Sequence, residues 1–480
     1  MKEVFFLSLL FISIAVLIAG YFIYGKFVER VFGIERERKT PAVSMADGVD
    51  YIEMPWYKLF LIQFLNIAGL GPIYGAIAGA LWGPQAFIWI VFGSIFAGGV
   101  HDYFSGMLSI RNGGATIAEI VGKYLGNNAR QFMRAFSVIL LILVGTVFMT
   151  GPALLLGNLG FLNIDSYQIW LAIILVYYFL ATILPVDKII GKIYPLFGAV
   201  LIIMAVGIAA MLLINGHQLP ALTLENIHPN NLSVWPLLFI TIACGAISGF
   251  HATQSPLMAR CVGNETQGRR VFYGSMIAEG IIALVWAAAA MSFFHGTDGL
   301  MGATSAGGPG GVVYQVSTSL LGVVGGLLAM LGVIACPITS GDTAFRSARL
   351  VIADFTKTNQ SRLNKRLIIA IPLFLVGFGL SLIDFNIIWR YFAWSNQTLA
   401  TMVLWASAVY LVENNKLHWI ATVPATFMTA VITTYILQAP EGFQLSTAIS
   451  YPIGIVSAIV AFMLFLGKAK KIRQKALLEI

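Results

Sequence analysis

Apolar residues in this chain gather into long uninterrupted runs, and polar residues are confined to short clusters between them. Read between those clusters and the Gly/Pro breaks, the runs predict about thirteen helices. Labelled α1 to α13, they lie near residues 4–25, 57–80, 84–110, 133–157, 167–185, 192–214, 235–258, 272–295, 318–350, 366–384, 387–412, 418–437 and 446–467. At 1.5 Å per residue, a run of about 18 or more residues crosses a hydrocarbon layer of about 30 Å. Lipid offers backbone N–H and C=O groups no partner, which leaves helices or a closed barrel as spanning structures. A barrel would show short alternating segments, and these runs do not alternate.

Two runs are interrupted at their centres. α2 carries "NIAGLGPIYG" (Asn66–Gly75), and five spans later α7 carries "ACGAISGFHATQSP" (Ala243–Pro256). Pro removes a ladder bond and clashes with the preceding turn, while Gly tolerates unwound backbone. At membrane depth such backbone survives only when buried in protein or lining a water-filled cavity. Taken as two sets of five, α2–α6 and α7–α11 enter the bilayer from opposite sides. An inverted repeat whose paired spans are both interrupted points to the central site of a secondary transporter. Each break exposes N–H groups suited to a carboxylate and C=O groups suited to a cation. On this reading Asn66, Gly69 and Gly71 in the first break and Ser248, Gly249, His251 and Thr253 in the second bind substrate. For one helix alone the alternative is close packing, since Gly71, Gly75 and Gly79 have small-residue contact spacing. The matching break in the inverted set favours a site.

Composition agrees with a membrane protein: of 480 residues 58% are hydrophobic and only 10% charged, where a soluble domain carries about 25% charged residues. The net charge of +8 resides in short loops beside the runs, so it is a topology signal and not a nucleic-acid surface. One side receives Lys26 to Lys39, Arg111 to Arg134, Lys188 and Lys192, Arg260 to Arg270, Arg346 to Arg366, Lys416 and Lys468 to Lys475; only Lys2 and Arg390 fall on the other. The N-terminus is therefore expected outside and the C-terminus in the cytoplasm. Val4–Tyr24 has no small-residue cleavage site and reads as a retained helix. Three scattered cysteines, Cys244, Cys261 and Cys336, argue against disulfides or a zinc site. The chain divides into an N-terminal helix and cytoplasmic loop (1–56), a first repeat (57–214), a second repeat (235–412) and two C-terminal helices with a basic tail (413–480).

The stretches "IAGLGPIYGAIAGALWG", "GGVHDYFSGMLSIRNGGATIAEI", "TIACGAISGFHATQSP", "SGDTAFRSAR" and "WSNQTLATMVL" resemble the carbon starvation protein A (CstA) family, over roughly residues 57 to 412. The resemblance implies an all-α inner-membrane transporter of the five-plus-five inverted-repeat class that includes amino acid and sodium symporters. The first and sixth helices of its repeat, here α2 and α7, would be discontinuous, with one extra N-terminal and two extra C-terminal helices. It also implies uptake of peptides or pyruvate during carbon starvation. Enterobacterial members are longer, and after "SGFHA" their pattern continues with a Thr-Thr-Pro-Lys stretch where this chain has Thr253, Gln254, Ser255 and Pro256.

Ionisable groups inside a membrane are costly and need a partner or a role. His101 and Asp102 in α3 are equipped for proton coupling, or else form a structural pair near the cytoplasmic interface. His251 either contacts a substrate carboxylate, receives the transported proton or bonds a neighbouring helix. In α9, Thr339, Ser340 and Asp342 are hard oxygen donors of the kind a Na⁺ uses, and the transporter class has a cation site between this helix and α2. Alternatively Thr339 and Ser340 bond their own helix and Asp342 pairs with Arg346. Asn396 and Gln397 with Ser395 in α11, and Glu279 in α8, line a vestibule or knit helices. The Gly-rich segment Gly296–Gly311 reads as a flexible external gate. The leading function is secondary active import of a peptide or small carboxylate by H⁺ symport, without cofactor, with membrane lipid as its surroundings and oligomeric state open. Na⁺ coupling on the same fold and a channel are the alternatives. A membrane enzyme using His101, Asp102, His251 and His295 as metal ligands lacks HxxxH or HExxH spacing.

Overall fold

A computed structural model describes residues 6–48, 50–158, 161–183, 187–358, 360 and 362–478. Lys2, the start of α1 at residue 4 and the end of α5 at residues 184 and 185 lie outside the described residues. Helices occupy all thirteen expected positions: α1 within Phe6–Phe32, α2 as Trp56–Ile67 and Gly71–Gly79, α3 Gln85–Arg111, α4 Asn127–Asn158, α5 Tyr167–Ile183, α6 Asp187–Ile214, α7 as Leu237–Thr241 and Gly249–Ala259, α8 within Glu265–Phe293, α9 at the end of Thr297–Thr356, α10 Leu363–Ser381, α11 Phe385–Glu413, α12 Trp419–Gln438 and α13 Thr447–Leu478. Among the described residues, nine helices are long and apolar enough to cross a membrane, ten if the bent α2 pair is one span. The other three differ for visible reasons. α5 is apolar but has 17 residues, α7 is divided into pieces of 5 and 11 residues, and α11 carries Arg390, Ser395, Asn396 and Gln397 along its length.

Two segments differ from expectation. Gly296–Gly311 is helical over most of its length, running from Thr297 into α9 with the helix interrupted only where Gly308 (φ 63°) and Gly322 (φ 60°) adopt left-handed backbone. Leu300 within the stretch and Val312, Val313 and Val316 just beyond it are fully buried, which fixes it against the bundle near both ends. In the basic loop after α3, Ile117–Leu125 forms a short amphipathic helix with Ile117, Ile120, Val121 and Tyr124 buried. Nine residues are too few to span, which hides it from a search for long apolar runs.

Glycine sets the closeness of the two broken helices. A Cβ on Gly71 would collide with Cys244 and one on Gly79 with Ile242, while one on Gly75 would lie 2.9 Å from the Thr241 carbonyl oxygen. The second half of α2 therefore rests directly on α7. Gly249 in turn lies against α11: a Cβ there would collide with the Asn396 carbonyl oxygen and come within 2.7 Å of the Ala400 nitrogen.

On the Lys/Arg-rich face a buried cluster ties several elements together. Arg111, at the end of α3, donates to both carboxylate oxygens of Glu265 at 2.9 Å, to Tyr410 Oη of α11 at 2.7 Å and to the Gly33 carbonyl after α1 at 2.7 Å. Its guanidinium carbon lies 4.1 Å from the centroid of the Phe32 ring. Glu265 also accepts from the Glu35 backbone N–H at 2.8 Å. Lys416 donates to the Phe32 carbonyl, and burial followed by the repulsion of Arg111 holds its ammonium below the usual lysine range. On the opposite face Arg390 pairs with Glu441 at 3.0 Å.

Replacing Gly249 with Ala is expected to destabilise the protein by roughly 1–3 kcal/mol, because backbone on α11 cannot move aside as a side chain would. Gly302→Ala, where nothing lies within 4 Å, leaves stability unchanged; thermal unfolding of the two detergent-solubilised variants checks the contrast.

Candidate functional site

The halves of α2 meet at an angle of 51°. Ala68 (φ −82°, ψ 46°) leaves the helix, Gly69 turns back with its N–H on the Ile67 carbonyl at 2.9 Å, and Leu70 starts the next half-helix with Pro72 in its first turn. Pro is tolerated there because its missing N–H would be unpaired anyway. A Cβ on Gly69 would lie 2.7 Å from the Phe148 ring, so α4 packs against the turn itself. In α7 the first piece ends at Ile242, residues 243–247 form a tight turn, and Ser248 in extended backbone precedes the second piece.

Helix breaks leave backbone groups without ladder partners, and side chains of neighbouring helices supply several of them. Trp89 Nε1 donates to the Ile242 carbonyl at 3.0 Å, and Ser94 Oγ to the Gly245 carbonyl at 3.0 Å, both from α3. Gln397 donates to the Phe239 carbonyl. Asn396 Oδ1 accepts the Phe250 N–H at 2.6 Å, while its Nδ2 donates to Ser248 Oγ at 2.9 Å and Cys244 Sγ at 3.2 Å. A residue of α11 thus caps the second half of α7 from outside, a task that Ser248, the local cap residue, leaves undone. Asn396 and Gln397 hold the break in shape. Thr253 Oγ1 donates to the Phe250 carbonyl at 2.6 Å and stabilises its own helix.

The ionisable residues converge on one point. His101 Nδ1 lies 2.7 Å from Asp102 Oδ1, His251 Nδ1 lies 2.9 Å from Asp102 Oδ2, and His251 Nε2 lies 3.2 Å from Glu279 Oε2. All four side chains are fully buried. The first turn of the second α7 piece brings His251 between α3 and α8. Ser105 Oγ continues the α3–α7 seam one turn on, meeting Ser255 Oγ at 3.1 Å. His101 and Asp102 therefore pair with each other and, through Asp102, meet His251 of the second α7 piece. The His251–Glu279 contact has ion-pair distance, but neither Glu279 oxygen is in hydrogen-bonding geometry with a protein donor.

The α9 oxygens stand apart from this chain. Thr339 Oγ1 donates to the Cys336 carbonyl at 2.7 Å, Arg346 donates to Asp342 Oδ2 at 3.1 Å, and Ser340 is buried. No group of three or more His, Cys, Asp or Glu side chains suited to a metal ion occurs among the described residues. Gln63, in the first half of α2, went unmarked in the sequence: it is fully buried and neither its amide oxygen nor its nitrogen has a partner. A lone polar residue in an apolar run was its only signal.

Two interrupted spans held against each other around a buried, ionisable centre define a secondary transporter of the inverted-repeat class. The chain belongs to the carbon starvation protein CstA family, which it matches over residues 6–153, 159–307 and 301–435. It is 26% identical over 573 aligned positions to the peptide transporter CstA of Campylobacter jejuni, covering 92% of this chain and 81% of that one. With the pyruvate/proton symporter BtsT of Escherichia coli it shares 27% identity over 338 positions, 57% of this chain and 47% of the relative. Among solved structures, Mhp1, a nucleobase-cation-symport-1 family transporter in a closed conformation with bromovinylhydantoin bound, superposes with a TM-score of 0.54 at 14% identity, over 88% of this chain and 93% of that one. That likeness establishes the fold. The protein is a multi-pass membrane transporter for a small molecule and not an enzyme.

Asn396→Ala removes the external cap and leaves the Phe250 N–H buried without a partner, at a cost of about 1–3 kcal/mol. A melting temperature below that of the wild type, measured on the detergent-solubilised variant, checks it.

Proposed function

We propose that the protein imports a peptide or a small carboxylate such as pyruvate by H⁺ symport, with the chain His101–Asp102–His251–Glu279 as the proton seat. Its setting is the bacterial inner membrane, with the N-terminus outside, the C-terminus cytoplasmic, and carbon starvation as the condition of use. One observation carries the reading: His251 uses both ring nitrogens to join two buried carboxylates on different helices.

The chemistry follows from the proton count. If His251 is an imidazolium, its Nδ1–H is donated to Asp102 and its Nε2 stands at ion-pair distance from Glu279. If it is neutral with the proton on Nδ1, Nε2 is a lone pair, and Glu279 at 3.2 Å must carry the proton for the contact to hold. Loss of that proton places a bare carboxylate against a bare nitrogen and weakens the α7–α8 contact. Protonation is thus coupled to how α7 and α8 sit together, as a symporter requires. Relatives named for peptide and for pyruvate/proton transport support the choice of substrates and ion. The α9 oxygens give Na⁺ no comparable support, since Thr339 and Asp342 are engaged within their own helix.

In proteoliposomes, an inside-alkaline pH gradient alone is expected to drive accumulation of labelled substrate, drawn from a panel of pyruvate and dipeptides. His251→Ala inserts normally but accumulates none, and Glu279→Gln loses the dependence on external pH. Accumulation driven by a Na⁺ gradient at matched pH would overturn proton coupling.

A further inference from the structure

Asp102 is flanked by two imidazoles. Its Oδ1 lies 2.7 Å from His101 Nδ1 and its Oδ2 lies 2.9 Å from His251 Nδ1, and all three side chains are fully buried. Among the described residues these rings are its partners at ion-pair distance. Toward the carboxylate the two are alike; at their far ends they differ. His251 Nε2 stands 3.2 Å from Glu279 Oε2, while His101 Nε2 is buried with no hydrogen-bond partner. The remaining titratable group beside His251 is the Cys244 thiol of the α7 turn, which donates to Ser248 Oγ at 3.6 Å and accepts from Asn396 Nδ2 at 3.2 Å.

That difference decides which ring can carry a proton. An ionised carboxylate only accepts, so Asp102 in that form requires hydrogen on both Nδ1 atoms and leaves the two Nε2 atoms as the sites that change. A proton added at His101 Nε2 would create a charged N–H buried where nothing accepts it, and an unmade bond to a charged group is the costly kind. Added at His251 Nε2, the same proton meets Glu279. Transfer requires donor and acceptor within hydrogen-bond reach or one water apart, and along this chain His251 Nε2 is the ring nitrogen with a further titratable group on its far side. His101 is the closed end.

We infer that His101 is a positioning residue and not a proton carrier: through Oδ1 it holds Asp102 ionised, Asp102 fixes hydrogen on His251 Nδ1, and the transported proton comes and goes between His251 Nε2 and Glu279. One proton occupies that last contact in the loaded state and none after release. Asp102 and both Nδ1 atoms keep their protonation throughout. A histidine's working nitrogen is set by the bond its other nitrogen makes, and here that bond is itself set by a second imidazole, as outer partners orient a ligating histidine. The inference rests on the proton-symport reading above and divides its four-residue chain into a fixed half and a moving half.

Asparagine offers an amide N–H close to where His101 has Nδ1 but cannot titrate, which separates the two roles. Accumulation driven by an inside-alkaline gradient in proteoliposomes, measured across external pH, is expected to fall by about tenfold or more in His101→Leu, with a shifted pH profile. His101→Asn is expected to rescue it to within about threefold, at the wild-type profile. Loss of coupling in folded His101→Asn as complete as in His251→Ala would make His101 a carrier and overturn the inference. Wild-type uptake and profile in His101→Leu would overturn it as well. Ring-nitrogen NMR of the detergent-solubilised, histidine-labelled protein gives an independent reading, with the His251 signals assigned by their loss in His251→Asn. Hydrogen retained on His251 Nδ1 while Nε2 titrates supports the lock; a bare Nδ1 in the wild-type protein overturns it, even if His101→Leu fails to fold. Absence of gradient-driven accumulation in the wild-type protein defeats the symport reading instead, and the NMR result still decides the tautomer.

Discussion

Every backbone polar group at membrane depth must find a partner, and that constraint organises this molecule. Two of its helices are interrupted at residues buried within the bundle. The cost of those interruptions is met by neighbours: Trp89 and Ser94 of α3 reach the carbonyls of the α7 turn, and Asn396 of α11 caps the half-helix beyond it. The identity of α3 and α11 is thereby bound to the shape of α7. A change in either would deform the turn that presents His251.

The thirteen helices were legible because apolar length is a strong signal, and the two breaks because Gly, Pro and Asn are conspicuous in such runs. Less legible was the division of labour within the breaks. Gly71, Gly75 and Gly79 serve the approach of α7 to α2, and Gly249 the approach of α11; a glycine looks the same in sequence whether it frees a backbone for a ligand or admits another helix. The meeting of Asp102, His251 and Glu279 spans 149 and more positions of chain and was invisible without the packing of α3, α7 and α8. Helicity in the Gly-rich outer segment also escaped, because propensity argues against it and only burial of Leu300 and the valines after Pro309 decides otherwise.

Charges at the two faces follow the same economy as those at the centre. Arg390, the exception to the one-sided distribution of basic residues among the described helices, is paired with Glu441. On the basic face Arg111 brings together the end of α3, Glu265 before α8, Tyr410 of α11 and the backbone after α1. The backbone after α1 is thereby fastened to the ends of α3 and α11 and to the segment before α8.

The glycine contacts between α2 and α7 have a mechanical consequence. Backbone lies on backbone at Gly75, and at Gly71 and Gly79 the side chains of Cys244 and Ile242 rest directly on the glycines with no room for a Cβ. Such a seam resists shear, so the interrupted spans travel as a single wedge. Whatever swings open around the cargo must hinge along the flank facing α4, where Phe148 meets Phe250 edge to face and rings can roll over one another.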